Sequence, residues 1–169
     1  MLLRQLREDA KANDIFGWKL WFSPFTSPAM LTLILYRVSA SLVARSDGLR
    51  ALSKLLHRLN IILTGCHISP LSKIGAGLRL PHPVGIVIGE GVDIGENVTL
   101  YQNTTLGVSD PDARDYPVVE DCVTVFAGAV VAGAVKLGNS SVIGANAFVH
   151  RDVPPGATAV GVPARIISP

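Results

Sequence analysis

Leu80–Leu100 reads LPHPVGIVIGEGVDIGENVTL, and most of it keeps a strict period. Ile88, Ile94 and Leu100 fall six residues apart, and glycine follows the first two as Gly89 and Gly95. Going backwards the period slips: Leu80 lies eight residues before Ile88, with Pro81-His82-Pro83 inside the slip. Ile68, Ile74, Leu80 and Ile86 read as one register, and Ile88, Ile94, Leu100 and Leu106 as a second. A third register, Val119, Val125, Val131, Leu137, Ile143 and Val149, runs without a miss. Four residues after the aliphatic position stands a small residue or a valine: Val92, Val98, Thr104, Val123, Ala129, Val135, Ser141 and Ala147.

An amphipathic helix cannot hold this rhythm, because six steps of about 100° carry the apolar residue well off its starting face. Hairpins would need more turn signals than the stretch contains. The short strands of a solenoid satisfy the pattern, each six-residue unit making one side and pointing its aliphatic residue into a shared interior. Glycine and asparagine suit the corners, where other residues resist the backbone angles required. Two extra residues at the slip bulge the coil outward at a corner and carry His82 on the bulge. Pro81 and Pro83 restrict that backbone, so the imidazole has little entropy to lose on binding.

Before this solenoid, expected over 65–169, residues 1–64 read as helical. Ser27-Pro28 is a cap followed by proline at the first helical position, and the helix it starts runs to Ser46-Asp47-Gly48. Leu49, Leu52, Leu55, Leu56 and Leu59 follow at helical spacing, with an end expected near Asn60 and before Gly65. Leu2, Leu3, Leu6 and Ala10 indicate a shorter helix at the start. Trp18, Trp21, Phe22, Phe25, Met30 and the leucines exceed what a two-helix hairpin buries. They call for packing on the rest of the chain or a sister subunit, or for contact with a membrane surface.

A chain of 169 residues with a net charge of +2 supports one domain, or a small domain with an appendage. Its Lys and Arg residues are scattered, which excludes the basic stripe of a nucleic-acid binder. Cys66 and Cys122 have no ligand-like spacing and read as small buried hydrophobes in a reducing compartment. The N-terminus shows no signal peptide, and Ala29–Leu35 is far short of the roughly 20 residues that span a bilayer. The expected compartment is the cytoplasm, with the inner membrane face as a variant.

The pattern aliphatic–Gly–x–x–small–x resembles that of the hexapeptide-repeat acyltransferases, which form left-handed parallel β-helices with three units per coil. The resemblance covers Ile68–Ile167, and the ending VPPGATAVGVPARII follows the closing segment of these enzymes almost residue for residue. Within that family, LPHPVGIVIGE resembles the LDHATGIVVGE motif of the serine acetyltransferases, as does Tyr36-Arg37 in the long helix. The related O-acetyltransferases of capsule and exopolysaccharide synthesis are similar too. The resemblance implies acetyl-coenzyme A (acetyl-CoA) as donor, a hydroxyl as acceptor, and a homotrimer with active sites between neighbouring prisms. It also implies that the helical half can dimerise trimers.

Acetyl transfer from a thioester to a hydroxyl needs a base during attack and donors for the developing oxyanion. His82 fits the base: its ordinary pKa of about 6.5 lies near working pH, and its place in the slip matches the family motif. His57 reads as a solvated helix residue. His67 stands where the serine enzymes carry an aspartate that pairs with the catalytic histidine. The resemblance places Ala127 and Ala145 on the pantetheine arm, His150 and Arg151 near the adenine nucleotide, Arg165 on the phosphates, and Gly107 among the cofactor-binding positions.

A second break, GVSDPDARDYPVVED between Leu106 and Val119, extrudes a loop rich in Asp and Pro. The serine enzymes place Arg-His-Pro there, whereas this chain has Asp115-Tyr116-Pro117, and Pro81 replaces the aspartate before their catalytic histidine. Asp115 in place of arginine would repel an amino-acid carboxylate. Tyr116, Asp115 and Asp112 would suit a neutral polyol, the ring packing on a sugar and the carboxylates accepting from its hydroxyls. The expected function is therefore an O-acetyltransferase acting on a carbohydrate, such as a capsular or exopolysaccharide or its precursor, with serine O-acetyltransferase as the alternative. A non-catalytic trimer and a zinc carbonic anhydrase stand behind these; the latter lacks a third ligand beside His67 and His82, so no metal is expected.

Overall fold

A computed structural model describes residues 1–167, with Leu20 described by its main chain alone. Four helices come first: α1 (Leu2–Ala12), α2 (Lys19–Thr26), α3 (Pro28–Val43) and α4 (Arg50–Thr64). Ser27 caps α3 as its sequence promised, its hydroxyl accepting from the Met30 N–H with Pro28 in the first turn. Helix α4 runs past Asn60 to Thr64 and stops at Gly65, whose φ of 70° admits the left-handed cap. The short α2, with Pro24 inside it, was not foreseen.

The strands then wind round a three-sided left-handed prism. Sheet A stacks β1 (His67–Ile68), β3 (Val87–Ile88), β6 (Thr105–Gly107), β9 (Val130–Ala132) and β12 (Phe148–Val149). Sheet B stacks β2 (Lys73–Ile74), β4 (Asp93–Ile94), β7 (Val118–Val119) and β10 (Lys136–Leu137). Sheet C stacks β5 (Thr99–Leu100), β8 (Thr124–Val125), β11 (Val142–Ile143), β13 (Thr158–Val160) and the antiparallel closing strand β14 (Arg165–Ile167).

The three aliphatic registers fill the prism: Ile68, Ile88, Leu100, Leu106, Val125, Val131, Leu137 and Ile143 are all fully buried. One assignment changes. Ile86 is buried beside Ile88, but it occupies the small-residue position two before the register residue, equivalent to Val92 and Val98. The slip had disguised it as a fourth member of the first register. Cys66 is buried as expected, whereas Cys122 is exposed on a corner with φ of 58°.

The first coil of a solenoid presents an open edge of main-chain groups, and the helices close it. The buried Asp9 carboxylate accepts from the N–H groups of Gly77 and Leu78 and pairs with Arg37 at 2.9 Å. Arg37 also donates to the carbonyls of Ile74 and Gly75, and the Tyr36 hydroxyl donates to that of Ser72. Asn13 donates to the Leu78 carbonyl and accepts from the Leu80 N–H. Large apolar side chains remain exposed at and on α2 (Trp18 before its first residue, then Trp21, Phe22 and Phe25) and along α4 (Leu52, Leu55, Leu59, Ile62, Leu63). Among the described residues no helix is long and apolar enough to cross a membrane.

Candidate active site

Strand pairing locates both breaks in the repeat. Where the coil is regular, partners lie 18 residues apart, as Val87 and Thr105 do. Between the first two coils the separation is 20, for His67 with Val87, Lys73 with Asp93 and Arg79 with Thr99. The two surplus residues lie between Arg79 and Val87, at the corner joining sheet C to sheet A. His82, Pro83 and Val84 there oppose the single residue Gln102 of the next coil.

His82 is exposed on this bulge. The turn is tight: the Val84 N–H donates to the His82 carbonyl at 2.8 Å, and the Asn103 N–H donates to Val84. Gly85 follows with φ of 65°, and a Cβ there would lie 2.2 Å from the Asn103 side-chain oxygen, so the chain can leave the bulge only through glycine. The His82 ring faces Tyr101, centroids 6.3 Å apart, and Tyr101 stacks on Phe126 at 5.0 Å. Beside this aromatic wall, Gln102, Ala127 and Ala145 continue the His82 column from coil to coil, their residues following the register positions Leu100, Val125 and Ile143 by two.

The second break lies at the corner joining sheet A to sheet B. There the coil separation rises to 25, as for Thr105 with Val130 and Asp93 with Val118, so seven extra residues leave after Gly107. The loop closes on itself. Ser109 donates its N–H and hydroxyl to Asp115, which also lies against Gly133 of the next coil. The Ser109 hydroxyl holds the Asp115 carboxyl below its ordinary range. Tyr116 is half-buried over the preceding coil, where a Cβ on Gly91 would come within 2.2 Å of its ring. Desolvation, with the neighbouring Glu90 carboxylate, raises its pKa. Asp115 and Tyr116 therefore fasten the loop to coils on either side, while Arg114 and Asp112 stay exposed.

The residues expected on the donor divide between the two corners. Ala127 and Ala145 share the column of His82, whereas Gly107, His150 and Arg151 lie along the corner from which the loop emerges. His150, Arg151 and Arg165 converge with Ala164 on a cavity of about 280 Å³ at the C-terminal mouth of the prism. The strand pairing of β13 with β14 brings Arg165 there. Among the described residues no group of three His, Cys, Asp or Glu side chains could hold a metal ion.

His57 is the residue for which sequence alone supplied the wrong surroundings. Its ring packs edge-to-face on His67 at 4.8 Å, with Nδ1 buried and unpartnered. Gln102 was missed altogether, since only the coil stacking places it beside His82.

No protein-family model matches the sequence. A serine acetyltransferase of Helicobacter pylori (strain J99) is 38% identical over 168 residues, 99% of this chain and 94% of that protein. One of Mycobacterium tuberculosis is 44% identical over 121 residues, 71% of this chain, which spans about half (53%) of that longer protein. Soybean serine acetyltransferase complexed with serine superimposes with a TM-score of 0.89 at 30% identity, covering 98% of this chain and 69% of that one. A serine acetyltransferase in complex with CoA gives 0.82 at 30% identity, covering 98% and 68%. These likenesses overturn the carbohydrate acceptor expected from Tyr116, Asp115 and Asp112. The physical reason lies in the loop: Asp115 and Tyr116 are spent on fastening it, so their chemistry does not report the acceptor. The chain belongs to the serine acetyltransferase family.

Proposed function

We propose that this chain is an acetyl-CoA-dependent serine O-acetyltransferase that works by direct attack, with His82 as general base. The observation that carries the reading is the two-residue insertion, which lifts an exposed imidazole out of a rigid coil wall in a chain similar along almost its whole length to serine acetyltransferases. The His82 imidazole takes the proton of the serine hydroxyl as its oxygen attacks the thioester carbonyl. The tetrahedral intermediate then expels the CoA thiolate, and the protonated His82 can return the proton to that sulfur. Main-chain N–H groups along the Ala127–Ala145 column would hold the oxyanion and the pantetheine arm.

The donor's residues fit its chemistry. Alanines leave room for a thin arm between prisms, and Arg151 and Arg165 match its phosphates. Their division between two corners of one prism fits a site shared by adjacent copies in a homotrimer, one giving the His82 corner and its neighbour the loop corner. The exposed apolar row of α4 would then join trimers in pairs through the helical half.

An amino-acid acceptor needs a cation for its carboxylate. With Asp115 tied to Ser109, Arg114, the adjacent exposed side chain, takes that part. The decisive assay is CoA thiol release against L-serine, nucleotide sugars and oligosaccharides, with the product identified by mass. O-acetylserine at millimolar serine is expected. Turnover of a saccharide with none of serine would overturn the reading.

A further inference from the structure

Among the described residues three buried side-chain atoms lack a hydrogen-bond partner: Nδ1 of His57, Oγ of Ser141 and Oε1 of Gln102. Ser141 lies inside the prism and His57 at the junction with the helices. Only Gln102 stands in the His82 column. Its main-chain carbonyl accepts from the Gly128 N–H at 3.0 Å. A buried acceptor without a donor destabilises a fold, so its retention beside a reactive group points to function.

His82, for its part, needs an orienting acceptor. A general base works through one ring nitrogen, and a hydrogen bond to the other nitrogen selects the tautomer and the ring angle. Pro81 supplies no acceptor side chain, and His67 is engaged edge-to-face with His57. Stacked coils lie about 4.8 Å apart, a gap that a glutamine side chain spans. Gln102 opposes the bulge directly, and the ring of the adjoining Tyr101 already faces His82.

We propose that Gln102 is a positioning residue: its side-chain oxygen accepts from the His82 ring N–H when the site closes on its substrates, leaving the other ring nitrogen free to take the acceptor's proton. A neutral carboxamide thereby does the orienting that a carboxylate does elsewhere, without adding its charge. The inference rests on His82 being the base.

Kinetics and stability of two variants test it. Gln102→Met keeps the side chain's length and removes the acceptor. It is expected to lower kcat about tenfold with both KM values within twofold, while Tm stays level or rises because the unsatisfied acceptor is gone. Gln102→Glu retains the acceptor and adds charge next to the imidazole. It is expected to keep most of kcat and to raise the pKa of the acidic limb of kcat, on which the base titrates in the substrate complex, by about a unit. A Met variant with more than half the wild-type kcat, or a Glu variant with an unmoved pH profile, would overturn the proposal. His82→Ala is run alongside: if it too keeps its rate, the base assignment has failed; if it is inactive while the Gln102 variants behave as wild type, the positioning role alone has failed.

Discussion

His67 packs its imidazole edge-to-face against that of His57, ring centroids 4.8 Å apart and planes at 84°, joining the first coil of the prism to α4. Burial, and then the charge of His67, hold the His57 pKa below its ordinary value of 6.5, against the opposing hydrogen bond with the Ile68 main chain. The unfolded chain therefore binds this proton more tightly than the folded one. The contribution to stability is full above the unfolded pKa and is lost as pH falls below it towards the folded value. Urea midpoints should drop between about pH 7.5 and about pH 5.5, and His57→Gln should flatten that drop. Identical pH dependence in the two proteins would remove the pair as its source.

Arg37 and Asp9 close the open edge of the first coil as a buried, hydrogen-bonded pair. Arg37→Met leaves a buried carboxylate without its cation. It should lose about 3–5 kcal/mol in urea unfolding, the range for breaking such a pair by removing one partner. A loss under about 1 kcal/mol would mean that other groups seal the edge.

Cys122 holds φ of 58°, an angle that Asn97, Asn103 and Asn146 adopt at other corners. Asparagine bears the left-handed conformation better, so Cys122→Asn should gain about 0.5–1 kcal/mol. Chemical denaturation reads this directly, and a destabilised variant would show that the thiol contributes more than its backbone costs.

His82→Ala should lower kcat by about 10²- to 10⁴-fold, the range for a general base. CoA affinity by calorimetry and the unfolding curve should stay as in the wild type. A variant that keeps most of its rate would sink the base assignment.

Arg114→Ala should raise KM for L-serine about tenfold, as loss of one charge-assisted contact predicts, while KM for acetyl-CoA stays put. Arg114→Lys should recover part of the loss. If neither change touches the serine KM, the acceptor's carboxylate is held by another group.

Much of this molecule could be read from its residues in order, because a solenoid's core is periodic in sequence as well as in space. The buried line from Ile68 to Val149 is legible for that reason, and so is the bulge bearing His82, since an insertion shows as a lost beat. Ile86 was miscounted because the slip itself shifted the frame. Asp115 and Tyr116 misled for a different reason. Their residue types suit a sugar, but an exposed-looking loop residue can be consumed by the scaffold, and no periodicity says when.

The sequence alone determined a solenoid with six-residue sides and one imidazole carried on a two-residue surplus, since that spacing keeps every aliphatic on a shared interior; three sides per coil came from the family resemblance. Contacts between distant segments were decided only in three dimensions: Asp9 capping Gly77, His57 on His67, Tyr116 over Gly91, and Tyr101 facing His82. Side-chain partners across coils depend on where corners stack, and that distance is not written in the order of the residues.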